Sequence, residues 1–277
     1  MLRKAEWLWR GFGNALFLAL IGLGGTILAL TAFPLVTLLT PDRARRRARI
    51  QAVLHHGLRL YCFGMRFLRF ADIRTTGIER LRGLKGTLLI ANHPSLLDVV
   101  MILAAIPNVQ CVVKGALWRN PFFRITVEGA GYLRNDLAPE DLVAACVAAL
   151  RAGDNLVLFP EGTRTVPGMA MPLHRGFATI ALEAGADIQL ITMGCDPPIL
   201  CKGVPWWWTP SRRTAFSMEV GEKLPASAFP DRHRALAARQ LVDFIRNYYA
   251  DKVGHGRVDT GPEAADRGCL EAGGLVA

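Results

Sequence analysis

TLLIANHPSLLDVVMIL, residues 87–103, contains the change of pattern on which the fold turns. Thr87–Ala91 is a short run, apolar from Leu88 onward, of the kind that makes a buried strand. Leu96–Ala105 is apolar at helical length. Between them stand Asn92, His93, Pro94 and Ser95, and the proline resists helical backbone at His93 while Ser95 is placed to cap the helix. On one continuous helix His93 and Asp98 would be turned about 500° apart, on different faces. They meet only if His93 lies on the turn and Asp98 reaches back from the first helical turn. A carboxylate on one imidazole nitrogen fixes the tautomer and leaves the other nitrogen as a general base. A histidine near an aspartate is more often structural than chemical, so the pair needs company elsewhere in the chain.

The alternation continues on both sides of this stretch. Strands are expected at Thr87–Ala91, Val109–Val113, Asn155–Phe159, Ile188–Met193 and Thr214–Val220, with helices at Leu96–Ala105, Pro139–Ala152, Gly176–Ala184 and Arg232–Tyr249. Alternating strands and helices of this length mark an α/β domain, a mixed sheet flanked by helices, from about residue 72. The helix after Ala138 is the best delimited. Pro139 opens it, Glu140 and Asp141 suit its positive end, and Arg151 and Gly153 close it. From Asp251 the chain is rich in Gly, Ala and acids without periodicity, which reads as a disordered tail over 251–277.

Before residue 72 the pattern is different. Gly11 to Pro41 is 31 residues without an ionisable side chain. As a helix this run would measure about 46 Å, more than the roughly 30 Å of a bilayer core. Residues 1–41 therefore read as a membrane anchor, with Pro34 kinking or ending the helix. Arg43 to Phe70 then carries eight arginines and no acid, so most of the net charge of +10 sits in one segment. Ile50, Val53, Leu54, Leu58, Tyr61, Met65 and Leu68 share a stripe, with Arg45, Arg59 and Arg66 opposite. Residues 42–71 thus read as a basic amphipathic helix suited to an anionic lipid surface, at about 1 kcal/mol per arginine near that surface. No nucleic-acid recognition motif accompanies the charge. By the positive-inside rule this flank and the domain beyond it face the cytoplasm, at the inner (plasma) membrane.

A second stretch makes the His93–Asp98 pair more telling. DNLVLFPEGTRTVPG, residues 154–168, runs from a strand into Glu161, Gly162, Thr163 and Arg164. Carboxylate, glycine, hydroxyl and guanidinium in sequence form a polar rim: the glycine permits close backbone approach and Arg164 is suited to grip a phosphate. A turn with a surface Glu–Arg pair is the plainer alternative. VEGAGYLRND, residues 127–136, offers Arg134 as a second guanidinium. No Walker-type loop, GxGxxG or GxSxG elbow occurs, which argues against nucleotide hydrolysis and a serine acyl-enzyme.

At these residues the chain resembles the glycerolipid acyltransferases of the PlsC type. His93-Pro94-Ser95-Leu96-Leu97-Asp98 fits their HxxxxD motif, and Phe159 to Arg164 matches their FPEGTR motif in full. Lys114, Pro121, Gly129, Gly131 and Arg134 fit the block between, and the resemblance spans roughly residues 72–222. One departure stands in the fourth block, where the family usually carries a proline inside an apolar strand and this chain has Gln189 to Gly194. The resemblance implies a catalytic domain over 72–250 that moves an acyl group from acyl-CoA or acyl carrier protein to a lysophospholipid hydroxyl, foremost 1-acyl-sn-glycerol-3-phosphate. It implies His93 as base, Asp98 as its orienting partner, and Arg134, Glu161, Gly162, Thr163 and Arg164 as binders of the glycerol phosphate. No metal or other cofactor is called for. Acylation of another lysolipid or of a specialised lipid-linked acceptor, or a lipid-binding membrane protein without catalysis, are the competing expectations.

Lesser features complete the reading. The six scattered cysteines, without a CxxC pair, read as reduced and mostly buried. Trp206-Trp207-Trp208 suits either a headgroup layer or loop packing. His55 and His56 read as helix-surface residues. His174 and Arg175, close after the FPEGTR stretch, rank low as contacts for donor phosphates.

Overall fold

A computed structural model describes residues 2–165, 171–229 and 234–254. Seven strands form one sheet: β1 (Ala71–Thr76), β2 (Leu88–Ala91), β3 (Val109–Val113), β4 (Leu133–Arg134), β5 (Asn155–Leu158), β6 (Ile188–Asp196) and β7 (Thr214–Leu224). Their order is β1-β7-β6-β2-β5-β3-β4. Neighbours run parallel except β6 and β7.

Helices cover both faces, which explains why β2 is apolar throughout: Leu88 to Ala91 have no measurable exposure. Alternate residues serve opposite layers. Leu88 and Ile90 join the layer of α7 (Pro139–Arg151), α8 (Gly176–Ala184) and α9 (Arg234–Gly254). Leu89 and Ala91 join the layer of α3 (Arg43–Phe67) and α4 (Asp98–Ala105). On α9, Tyr249 is buried and its hydroxyl lies 2.8 Å from the Ile90 carbonyl and 3.0 Å from that of Ile191.

The apolar segment folds as α1 (Leu2–Leu30) and α2 (Ala32–Leu38), interrupted at Thr31. Pro34 explains the break, since it supplies no N–H to Leu30 and its ring crowds the preceding turn. Glu6–Leu38 is long and apolar enough to cross a membrane, with only 17% of its apolar window buried. After Pro41 the Asp42 side chain caps α3, accepting from the Arg45 amide at 2.8 Å. α3 returns beside α1: Trp9 packs on Phe70 at 4.8 Å between ring centroids, Phe17 on Tyr61 at 5.0 Å, and Leu28 lies against Gly57.

Several expectations change here. His55 is not a surface residue: it is buried against α4, with Nδ1 2.8 Å from the Leu103 carbonyl, while His56 is exposed. Gln51 also joins the buried face, donating to the Ala130 carbonyl, and Leu68 of the expected stripe is exposed. β1, β4, α5 (Gly115–Arg119) and α6 (Pro121–Gly129) were not expected as elements. Residues 251–254, assigned to the tail, continue α9; the remainder of the expected tail, 255–277, lies outside the described residues, as do Cys269, Arg232 and His233. The five described cysteines are free.

Candidate active site

Because β2 and β5 are adjacent and parallel, the segments leaving their carboxyl ends, with His93 and Glu161, emerge side by side. The helix after β2 begins at Asp98, two residues later than the sequence pattern places it. Ser95 is not its cap. The Ser95 hydroxyl instead donates to the Ile199 carbonyl at 3.0 Å, leaving an open turn between the strand and α4. Within that turn Asp98 reaches back. Its Oδ2 accepts from the Ser95 amide at 2.7 Å and lies 2.9 Å from His93 Nδ1. A carboxylate oxygen receiving a backbone N–H has lone pairs to offer, so Nδ1 carries the ring proton and Nε2 the free lone pair.

The surroundings hold this ring in place. It stacks on Phe159 at 4.2 Å between centroids and 27° between planes. Glu161 Oε1 accepts from the His93 amide at 2.9 Å and from the Thr165 hydroxyl at 2.8 Å, while the Thr165 amide donates to the His93 carbonyl at 2.7 Å. The two turns are thereby stitched together on both sides of the imidazole. Asn92 adds a third tie, exchanging two hydrogen bonds with the Met193 backbone on β6.

Both carboxylates lie in low-dielectric surroundings. Asp98 is wholly buried and burial pushes its carboxyl above the ordinary carboxylate range, opposed by the His93 hydrogen bond and charge and the Ser95 amide. Glu161 is 1% exposed, and burial raises it too, opposed by Thr165 and His93. Asp98 Oδ1 and Glu161 Oε2 are buried without a hydrogen-bond partner.

The other expected residues are arranged less tightly. Gly162 has φ 65°, and a Cβ there would stand 3.0 Å from the His174 ring, so the loop's tight path depends on glycine. His174 itself is tied to this loop through its amide, which donates to the Pro160 carbonyl. Arg164 Nη1 donates to the Leu200 carbonyl at 2.6 Å, and the Leu96 amide donates to the same oxygen. Thr163 stands between Gly162 and Arg164 on this rim. Arg134 ends the edge strand β4, at the same carboxyl edge but with β5 and β3 between β4 and β2. Its guanidinium lies on Asp136 at 2.9 Å and over the Trp118 ring, joined to neither His93 nor Glu161. Sequence reasoning overlooked Thr165 and the Ile199 and Leu200 carbonyls. The hydroxyl four residues after Glu161 was a usable signal, whereas backbone carbonyls have none. Among the described residues no cluster of three or more His, Cys, Asp or Glu could hold a metal ion.

Comparison with known proteins places this geometry in context. An acyltransferase family profile matches residues 72–196. A chloroplastic 1-acyl-sn-glycerol-3-phosphate acyltransferase of Brassica napus is 26% identical over 172 residues, covering 60% of this chain and 48% of that protein. Two proteins described as 1-acyl-sn-glycerol-3-phosphate acyltransferases are also similar: one from Cocos nucifera, 33% identical over 36% of this chain and 34% of its own length, and one from Helicobacter pylori, 32% identical over 37% and 46%. The chain thus spans half or less of the length of these curated relatives. The crystal structure of the 1-acyl-sn-glycerophosphate acyltransferase PlsC from Thermotoga maritima superposes with a TM-score of 0.65 over 91% of this chain and 98% of that one, at 18% identity, a likeness of fold. The acyltransferase profile lies over the strands and turns that carry His93, Asp98 and Glu161, and across that stretch the chain is similar to these 1-acyl-sn-glycerol-3-phosphate acyltransferases.

Proposed function

We propose that the protein transfers a fatty acyl group from acyl-CoA or acyl carrier protein to the free hydroxyl of 1-acyl-sn-glycerol-3-phosphate, forming phosphatidic acid. The observation that carries this reading is the His93–Asp98 contact at 2.9 Å on a turn stitched to the Glu161 loop. His93 Nε2 takes the hydroxyl proton as the alkoxide oxygen attacks the thioester carbonyl. The tetrahedral intermediate collapses with cleavage of the C–S bond, and the leaving thiolate takes the proton back as the free thiol. Asp98 stabilises the imidazolium between these steps.

Glu161 serves differently from what the resemblance implies. A buried carboxylate repels a phosphate, and one of its oxygens is committed to the His93 amide and Thr165. Its part is to position the catalytic turn. Recognition of the glycerol phosphate falls to Arg164 with the Gly162–Thr163 loop, and to Arg134 if its guanidinium leaves Asp136. The apolar segment 1–41 and the basic helix 42–71 attach the domain 72–250 to the cytoplasmic leaflet of the inner membrane, where an amphiphilic acceptor resides. The side-by-side packing of α1 and the arginine-rich α3 favours a hairpin seated in one leaflet over a full crossing.

The test is an acceptor screen with labelled acyl-CoA and acyl carrier protein, read by mass spectrometry of the lipid products. Phosphatidic acid formation, with Arg164→Lys raising the acceptor KM several-fold and the donor KM less, is expected. Equal acylation of the dephosphorylated 1-acylglycerol would overturn the assignment of the acceptor.

A further inference from the structure

We infer that the junction of α2, α3 and α6 is a binding site for one anionic phospholipid of the bilayer, separate from the catalytic centre. It rests on the proposed entry of α1 and α2 into the membrane. Two adjoining grooves, about 670 and 470 Å³, share Thr37, Ile50, Glu128 and Gly129. Each is within the roughly 300–1,000 Å³ of small-molecule sites. Their chemistry is split along their length. Arg43, Arg46 and Arg47 line the first groove, whereas Phe33, Leu38 and Ile125 line the second.

The charges are available at one end only. Arg47 is committed to Asp154, its Nη2 lying 2.8 and 2.6 Å from the two carboxylate oxygens. Among the described residues, Arg43 and Arg46 form no ion pair. The one acid in the grooves, Glu128, is held by Arg124 at 2.8 Å. The result is a cationic head joined to an apolar trough, and the trough continues onto the exposed Leu35 and Leu38 of the membrane-directed helix. A phosphodiester with an acyl chain matches both halves; a soluble anion or an apolar ligand matches only one.

Topology separates this site from the chemistry. Asp154 and Gly131 precede β5 and β4, so Arg47 marks the amino-terminal edge of these parallel strands. His93 and Glu161 follow β2 and β5, at the opposite edge. The four residues of β5 alone span about 13 Å. The lipid would therefore fasten the α2–α3 turn to α6 without entering the reaction.

The experiment uses the full chain in nanodiscs of phosphatidylcholine containing a small fraction of phosphatidylglycerol, with retained lipid counted by native mass spectrometry after gentle release. Wild type is expected to retain about one phosphatidylglycerol per chain. R43A/R46A should bind it roughly thirtyfold more weakly. R59A/R66A, which removes the same charge from exposed sites on the same helix, should match wild type. Thr37→Trp, which fills the join between the grooves while leaving every charge in place, should also lose the lipid. Equal loss in R59A/R66A, or retention in both R43A/R46A and Thr37→Trp, would overturn the inference. Failure of the wild-type chain to enter the nanodisc at all would instead overturn the membrane reading beneath it.

Discussion

Replacing Asp98 with asparagine separates the two services that this carboxylate performs for His93. Asp98 Oδ2 accepts from the Ser95 amide at 2.7 Å and from His93 Nδ1 at 2.9 Å, while Oδ1 is buried and unpartnered. An asparagine can therefore sit in two ways. With its NH2 in the Oδ2 position it would face the Ser95 amide donor to donor, at a cost of about 1–3 kcal/mol. With its oxygen there, both hydrogen bonds survive and the ring keeps the proton on Nδ1. The second arrangement wins, so the tautomer is preserved and only the negative charge is lost. Two unit charges about 4 Å apart at an effective dielectric of about 20 interact by about 4 kcal/mol, which sets the upper end of the loss near 10³ in rate. Asp98→Asn should lower kcat by about 10²–10³ and leave both KM values within about twofold. Asp98→Ala, which loses orientation as well as charge, should fall further, by about 10⁴. The assay is steady-state release of free thiol from acyl-CoA in mixed micelles at saturating substrates, with circular dichroism confirming the fold. An asparagine variant as inactive as the alanine one, or one keeping a third of wild-type kcat, would refute the reasoning.

Two further outcomes follow from the same turns. Glu161→Gln should keep both stability and most of the activity, because the hydrogen bonds that position the turn survive, and a loss of kcat beyond tenfold would show that the charge itself is needed. Burial holds the Glu161 carboxyl above its unfolded value, so the folded state retains a proton that the unfolded chain gives up. Stability is therefore lost as pH rises out of the ordinary carboxylate range, and the full cost is present above the folded pKa. The glutamine oxygen still accepts from His93 and Thr165, so the variant should melt at or a few degrees above wild type at pH 8. That advantage should vanish below about pH 4, and a melting deficit independent of pH would count against it. Gly162→Ala places a methyl group 3.0 Å from the His174 ring at φ 65°, at about 1–2 kcal/mol of backbone strain. Initial-rate kinetics should show kcat/KM reduced at least tenfold, chiefly through the acceptor, and unchanged kinetics would show that the loop yields freely.

What could be read in advance divides along physical lines. β2, β3, β5 and β6 are legible because buried strands are rich in Leu, Ile, Val and Met, β7 because Phe216, Met218 and Val220 alternate with less buried residues, and α7 because Pro139 and Gly153 bracket it. β1, Ala-Asp-Ile-Arg-Thr-Thr, is an edge strand half turned to solvent and shows too few apolar residues to stand out. β4 is two residues long and exists only because β3 offers it a ladder. The His93–Asp98 meeting is deducible because Pro94 leaves one conformation in which a spacing of five can close. The fate of Ser95 is not, because its partner, the Ile199 carbonyl, is 104 positions away and has no side-chain signature. His55 misleads for the same reason: one backbone oxygen on α4 is enough to make a histidine a core residue.

The Ile199 and Leu200 carbonyls, which receive Ser95, Leu96 and Arg164, have a consequence for how this protein can diverge. Contacts made through main-chain oxygen are indifferent to the identity of the side chain but not to the path of the chain. As hydrogen-bond acceptors these two residues are not fixed by side chain, but both are buried in the core, so they can vary only among apolar residues of similar size while the catalytic turn stays fixed. The length of the segment after β6 has no such latitude. One residue inserted or removed between Asp196 and Leu200 would shift both oxygens away from their donors and leave Arg164 without its tether. Divergence at this rim is thus confined to apolar exchange in composition and closed to insertions and deletions.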